Sequence, residues 1–419
     1  MTVPTAAGSG PTSGYRWVVL AVGALGAGAF AALRMGLPAL SPALRDEYDL
    51  TLGQVGLALS AVAVGVMVTL IPWGILTDRV GERPVLGIGL IGTALALVAA
   101  AFAASFPALL GGLLAAGMLG SSATGASGRA VMGWFGRGER GLALGIRQMA
   151  LPLGGAVSSL TLPWLAGAGG VQAALLTLAG LTLTAAVAAL VWMRDAPPPP
   201  PGSPVAGGPA PTRDPRAWRL GAASGLLVIG QSAVLGFVVL FLVDERGVGY
   251  GLAAAALAVL QLGGALARLA AGRRSDLEGL RIPLLRRIAV ADAALLGGVA
   301  LLATGPGALF YPVLALAGVT AMCWNGLAFT AAAEIAGRRR AGTAVSLQNT
   351  IVSVGGATAP AAFGALVAAT SWTLGFGVCA AAPVAAFVVL GPLAGEESAR
   401  ARERERRLAQ AAGGAEAPA

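Results

Sequence analysis

Gly74-Ile-Leu-Thr-Asp78-Arg-Val-Gly81-Glu-Arg83 and, far along the chain, Gly272-Arg-Arg-Ser-Asp276-Leu-Glu-Gly279-Leu-Arg281 share one spacing of glycine, aspartate, glycine and arginine. A second pair repeats in the same order. Arg147-Gln148 precedes Gly154-Gly155-Ala156 as Gln348-Asn349 precedes Gly355-Gly356-Ala357. Two repeats in register predict two similarly folded halves, with a cavity expected between them and alternating access as the way of working.

The sequence flanking both copies is apolar for most of its length. Of 419 residues, 56% are hydrophobic and 11% charged, and the mean hydropathy is +0.79. A chain in water cannot hide that much apolar surface, whereas a bilayer dissolves it. The apolar runs reach about 20 residues or more, the length that crosses roughly 30 Å of hydrocarbon as a helix. Spans are predicted at 15–42, 51–77, 84–104, 106–135, 140–167 and 171–193, then at 217–243, 249–272, 284–304, 307–336, 341–368 and 371–394. The expected fold class is an all-α membrane protein, with twelve transmembrane helices in two pseudo-symmetric six-helix bundles.

The domains follow from those spans. A disordered N-terminus is expected over 1–14, bundles over 15–193 and 217–394, a Pro-rich linker over 194–216 and a charged tail over 395–419. The linker, RDAPPPPPGSPVAGGPAPTRDPR, cannot be helical because proline lacks the N–H that a helix needs. The tail, with ESARARERERRLAQ, reads as a solvated short helix. The 63 glycines suit membrane helices, whose backbones approach closely through small residues. The polar start, MTVPTAAGSGPTSG, has no short apolar core with a cleavage site, so no removable signal peptide is expected.

All 28 positive charges are arginine and the net charge is +9, yet their placement argues against nucleic acid as a partner. With the N-terminus inside, Arg79, Arg83, Arg137, Arg140, Arg194, Arg273, Arg274, Arg286, Arg287 and the tail arginines all fall on one side. Arg45 and Arg246 stand on the other. That asymmetry obeys the positive-inside rule and puts both termini in the cytoplasm. The chain has no histidine, which removes any histidine relay or histidine metal ligand. Cys323 and Cys379 lie in apolar runs and read as small hydrophobes. With no nucleophile beside a base in the pattern, no enzyme activity, metal or cofactor is expected.

The stretch GILTDRVGERPVL, residues 74–86, resembles the cytoplasmic loop motif of the major facilitator superfamily, G-x-L-a-D-r-x-G-r-r. The weaker copy at 272–281 lies where that family also places one. The resemblance implies a secondary transporter with a gating set of Gly74, Asp78, Arg79, Gly81, Arg83, Gly272 and Asp276. Asp78 and Arg79 would belong to a charge cluster that holds one conformation. Glu82 departs from the pattern, which usually has a basic residue there, and implies a weaker network. Residues 128–156 (GRAVMGWFGRGERGLALGIRQMALPLGGA) resemble the fourth and fifth helices of organic-anion and organophosphate branches. Arg268 is similar to an eighth-helix arginine of monocarboxylate carriers, and Arg34 to a phosphate-binding arginine of organophosphate antiporters.

Four arginines, Arg34, Arg129, Arg147 and Arg268, fall within predicted spans. Each costs at least about 2.5 kcal/mol there unless it finds a partner, a cavity or the interface. Gln148, Gln231, Asn325, Gln348 and Asn349 are candidate companions in a substrate site, although amides in spans also bond helix to helix. Carboxylates are scarce in the spans, and Asp292 and Glu334 are the candidates for proton coupling. Embedded arginines without embedded acids point to a small anion, held by charge-assisted bonds. The expected function is a monomeric, multi-pass carrier of a small anionic solute in the cell membrane, coupled to protons or to exchange. Its partners would be that solute and the lipid bilayer. An exporter of drugs or metabolites and a membrane ligand sensor are the competing readings.

Overall fold

The computed structural model describes residues 14–135, 139–195, 213–336 and 341–414, with the side chains of Asp78, Arg140–Leu142, Leu144, Ala341–Thr343, Ser346 and part of the tail left aside. The expected N-terminal disorder and most of the linker lie outside those residues. The described residues contain helices and no strand. In bilayer this is the natural outcome, because a helix satisfies its own backbone N–H and C=O groups.

The first part of the chain forms α1 (Tyr15–Tyr48), α2 (Leu52–Val80), α3 (Glu82–Ala101), α4 (Phe106–Gly120), α5 (Ser122–Trp134) and α6 (Arg140–Trp192). The second part forms α7 (Pro215–Asp244), α8 (Tyr250–Glu278), α9 (Ile282–Leu301), α10 (Gly307–Ala321), α11 (Trp324–Ala336), α12 (Ala341–Ala369), α13 (Trp372–Val389) and α14 (Gly391–Gly414). Ten stretches among the described residues are long and apolar enough to cross a membrane. The α9 helix misses that set because Arg286, Arg287 and Asp292 crowd its 20 residues with charge. The α6 helix counts once, yet its 53 residues would extend about 80 Å at 1.5 Å per residue. A break at Gly169 (φ −152°, ψ 27°) and Gly170 (φ 70°, ψ −177°) divides it, and Glu47 accepts the Val171 N–H at 2.9 Å just beyond. Only glycine takes Gly170's positive φ without strain.

Two stretches expected as single helices, 106–135 and 307–336, are interrupted between α4 and α5 and between α10 and α11. The first interruption has a visible cause. The Met118 carbonyl accepts from Trp73 Nε1 at 2.7 Å, Thr69 Oγ1 at 2.8 Å and Ser121 Oγ at 3.0 Å. Side chains thus take over a carbonyl that the helix ladder would use, and the helix bends there. At the second interruption the Met322 carbonyl accepts from Arg268 Nε at 3.2 Å. The tail helix is longer than expected, starting at Gly391 and running to Gly414.

Proximity of Cα atoms divides the chain into two compact units, Met1–Tyr48 with Ala61–Ser203, and Asp49–Ser60 with Pro204–Ala419. In the first unit α1 and α6 pack through small residues. Gly28 lies against the Ala150 carbonyl, and a Cβ on Gly36 would collide with Ser158. The second unit includes the start of α2, which a Thr51–Gln54 capping box opens. Gln54 N–H donates to Thr51 Oγ1 at 3.3 Å and Thr51 N–H to Gln54 Oε1 at 2.8 Å. Two turns later Ser60 Oγ accepts from the Ala361 N–H of α12 at 3.1 Å. A buried aromatic cluster of Phe237, Phe241, Phe310, Phe363, Trp372 and Phe376 welds α7, α10, α12 and α13.

Candidate functional site

In the first unit Arg147 is 6% exposed. Its Nε donates to Ser127 Oγ at 2.8 Å, one terminal nitrogen to the Thr124 carbonyl at 2.8 Å and the other to Gln148 Oε1 at 3.0 Å. Ser127 in turn donates to the Ala123 carbonyl. The guanidinium therefore ties α6 to α5 through neutral oxygens, and no described carboxylate neutralises it. A charge kept dry in that way needs such acceptors, since burial without them costs several kcal/mol. Gln148 itself is exposed.

Arg34 lies midway along α1, its side chain exposed and hydrogen-bonded to no described residue. It stands 19 residues from Tyr15 and 14 from Tyr48, about 28 and 21 Å at 1.5 Å per residue, so neither end of α1 is close. Its five N–H donors are open to a ligand.

Arg129 has a different position. Its Nε pairs with Glu82 Oε1 at 3.2 Å, and a terminal nitrogen donates to the Thr77 carbonyl at 2.5 Å. Glu82 is 2% exposed. The residue that departs from the loop pattern is thus the buried anchor of an ion pair reaching from α3 to α5. Gly81 takes φ +94°, and the Asp195 carboxylate stands where a Cβ would project. Asp195 accepts the Arg83 N–H at 2.8 Å, while Arg83 Nε donates to the Leu190 carbonyl at 2.8 Å. A carboxylate at the start of α3 meets the positive end of the helix dipole. Arg16 and Glu139 close the same end of the unit with two hydrogen bonds of 2.6 and 3.1 Å. The Asp78 side chain lies outside the described residues. Arg79 is exposed, and Gly74 faces open space.

The second unit repeats this end with the charges rearranged. Arg281 pairs with Asp276 at 2.5 Å and with Glu334 at 3.2 Å. Glu397 accepts the backbone N–H groups of Arg281 and Ile282 at 2.8 and 2.7 Å, capping α9 as Asp195 caps α3. Gly272 again faces open space. Burial disfavours the charge on Arg281, but Asp276 and Glu334 outweigh it and raise the guanidinium pKa further.

Within the spans of this unit the polar residues pair between helices. Asn325 Nδ2 donates to Gln231 Oε1 at 3.2 Å, and Gln348 Nε2 to Ser224 Oγ at 2.9 Å. Gln348 is 1% exposed, and its Oε1 has no hydrogen-bond donor among the described residues. Asn349, beside it, is half-buried. Gln348 stands at the repeat position of Arg147, and each donates to a serine hydroxyl on a neighbouring helix. Arg268 is half-buried; beyond its Nε bond to Met322 it has no hydrogen bond to a described residue.

Asp292 is fully buried, with both carboxylate oxygens lacking a donor among the described residues. It does not reach Arg286 or Arg287. Its carboxylate faces Gly230 of α7, close to Leu296 and to Pro383 of α13, and Cys323 lies within electrostatic range of both Asp292 and Arg268. Glu334 contrasts with it, being 53% exposed and held by Arg281.

Sequence reading missed Asp195 and Glu397 as caps, and missed Glu82 as a partner of Arg129. The charged residues just before the proline run and at the head of the tail were the available signal. Their partners lie more than a hundred residues away, beyond the reach of any local pattern.

The model of the Major Facilitator Superfamily matches residues 20–360. A Mycobacterium tuberculosis (strain H37Rv) protein named an uncharacterized MFS-type transporter is 36% identical over 380 residues, 89% of this chain and 84% of its own. A protein of the CDC 1551 strain, with a similar name, shows the same identity and coverage. Among solved structures, a bacterial homolog of the human lysosomal transporter Spinster, inward-facing and unoccupied, superimposes with a TM-score of 0.75 at 17% identity. It covers 92% of this chain and 97% of its own. A D-xylose-proton symporter gives 0.73 at 14% identity, covering 90% and 97%. The nucleoside transporter NupG gives 0.70 at 14%, covering 89% and 98%.

Proposed function

The chain belongs to the Major Facilitator Superfamily, and from that premise we propose that it carries a small anionic solute across the cell membrane by alternating access. The protein is a multi-pass membrane transporter of that superfamily. Splitting α6 at Gly169–Gly170 and adding α9 to the ten apolar stretches supports a reading of twelve spans. The arginine asymmetry supports both termini on the cytoplasmic side.

The observation that carries the anion reading is the pair of mid-span guanidiniums, one in each unit, with open N–H edges and no described carboxylate partner. Arg34 is wholly open and Arg268 is tethered only through Nε. A planar guanidinium with free terminal nitrogens suits a carboxylate or a phosphate. Arg147 and Arg129, by contrast, are taken up by protein acceptors, and their proposed roles are structural and conformational. Asp292 is the proposed proton carrier, because a carboxylate buried without donors stores its charge at high cost and gains by binding a proton. Gln231, Asn325, Gln348 and Asn349 are proposed to orient the solute or to brace the helices around it.

A second reading rests on the amides. The Gln231–Asn325 pair and the open acceptor of Gln348 also suit an uncharged, hydroxyl-bearing solute, and the sugar and nucleoside carriers above have the same fold. Thermal unfolding of the purified protein with a panel of small carboxylates, phosphates, nucleosides and sugars separates the two. Stabilisation by an anion, lost in Arg34→Gln or Arg268→Gln, supports the first reading. Stabilisation by a neutral solute that both variants retain replaces it with the second.

A further inference from the structure

At the arginine-rich end of the second unit, α9, α13 and α14 enclose a groove of about 660 Å³ that no part of the transport reading uses. Its polar rim consists of Arg286 and Arg287 on α9, with Ser398 and Arg402 on α14. Among the described residues no aspartate or glutamate lines it. Arg286 is preset: its guanidinium lies over the Phe387 ring at 3.9 Å, and its Nε donates to the Phe387 carbonyl at 3.2 Å. Those contacts aim the terminal nitrogens into the groove beside Gly391, where a Cβ would stand 4.0 Å from one of them. Arg287 is 63% exposed, with a long 3.6 Å approach to Glu278 as its ion pair. Arg402 is exposed and bonds to no described residue.

Below this cationic rim the same surface turns apolar. Val290 lines the groove on α9 and is 49% exposed, and Val384, about one turn before the lining Phe387 on α13, is 52% exposed. These valines lie on membrane-spanning stretches, where acyl chains are the solvent. A site that is cationic at its mouth and apolar along its wall matches an amphiphile in charge and in shape. We propose that the groove holds the phosphate headgroup of an anionic glycerophospholipid, with its chains along the valine wall and α14 as the strap across the headgroup. Basic pockets between spans at the cytoplasmic surface bind anionic lipid in this way. The apolar wall selects the lipid over free phosphate, because inorganic phosphate gains nothing from it.

The test is thermal unfolding of the full-length protein in mild detergent, titrated with phosphatidylglycerol, phosphatidylcholine or inorganic phosphate. Phosphatidylglycerol is expected to raise Tm in a saturable way, with phosphatidylcholine and phosphate far weaker. Arg402→Gln, on an exposed helix face, is expected to weaken the lipid's apparent affinity roughly fivefold, and adding Arg286→Gln and Arg287→Gln to weaken it further. The variant Arg273→Gln, an exposed arginine on α8 that does not line the groove, serves as the control and is expected to match the native protein. Equal stabilisation by phosphatidylcholine overturns headgroup selection. Equal stabilisation by inorganic phosphate overturns the lipid in favour of a simple anion site. Loss of response in Arg273→Gln as large as in Arg402→Gln reduces the effect to bulk charge and also overturns the proposal.

Discussion

At the scale of the residue, the charges fall into three kinds, two embedded in the spans and one outside them. Arg147 is consumed by Ser127, Thr124 and Gln148. Its expected substitution pattern is structural: Arg147→Gln, the residue of its repeat partner Gln348, keeps a donor for Ser127, whereas Arg147→Leu forfeits it. The difference expected in thermal unfolding is about 1 kcal/mol, typical of hydrogen bonds between membrane helices. Asp292 is the second kind, buried without donors. Asp292→Asn preserves its shape while removing the titration, so solute exchange is expected to persist and proton-driven accumulation to vanish. Equal accumulation by both forms, measured in vesicles with an imposed pH gradient, excludes Asp292 as the carrier. Asp214 shows the third kind, a charge outside the spans. It caps α7 by accepting the Arg216 N–H at 2.9 Å, and the hydrogen-bonded Arg216 side chain holds its carboxyl below the usual range. A carboxyl held low when folded stabilises above the unfolded aspartate pKa of about 3.9, and that contribution disappears as pH falls through the lower folded value. Asp214→Ala is therefore expected to cost about 1 kcal/mol at neutral pH, with the deficit shrinking in acid.

At the scale of the element, the ends of the helices carry more of the design than their middles. The turn between α2 and α3 is locked by Glu82 with Arg129 and by Asp195 with Arg83. Removing either charge of the first pair, by Glu82→Gln or Arg129→Gln, is expected to cost about 2 kcal/mol, as for hydrogen bonds to charged groups. The double variant is expected to cost less than the sum of the two, and strict additivity in unfolding contradicts the pairing. The apolar runs made the helices themselves legible, since length and hydropathy depend only on neighbours in the chain. Their interruptions were not legible. The bend after α4 depends on Thr69 and Trp73 reaching the Met118 carbonyl, and that requires the rotation of α2 about its axis. Glu82 read as a weakness in the loop for the same reason: its partner is on α5, and sequence spacing says nothing about which side chains meet across a gap.

At the scale of the whole molecule, the repeat was the most readable feature. The copies at 74–83 and 272–281 fall one in each unit, whereas the caps of the helices that follow them, Asp195 for α3 and Glu397 for α9, come from outside the repeated pattern. The halves differ in the sign and identity of their charges, with Arg147 matched by Gln348 and Arg129 with Glu82 answered by Glu334 with Arg281. Those differences make the halves inequivalent toward a charged solute, and the open guanidiniums of Arg34 and Arg268 are the part of the account on which substrate charge depends. The decisive measurement is solute flux into proteoliposomes, with radiolabelled small carboxylates and phosphate offered to the native protein, Arg34→Gln and Arg268→Gln. The account predicts saturable anion uptake that falls by about tenfold or more in each variant while thermal unfolding stays native-like. Uptake of a neutral solute in place of any anion, unchanged by either substitution, contradicts it.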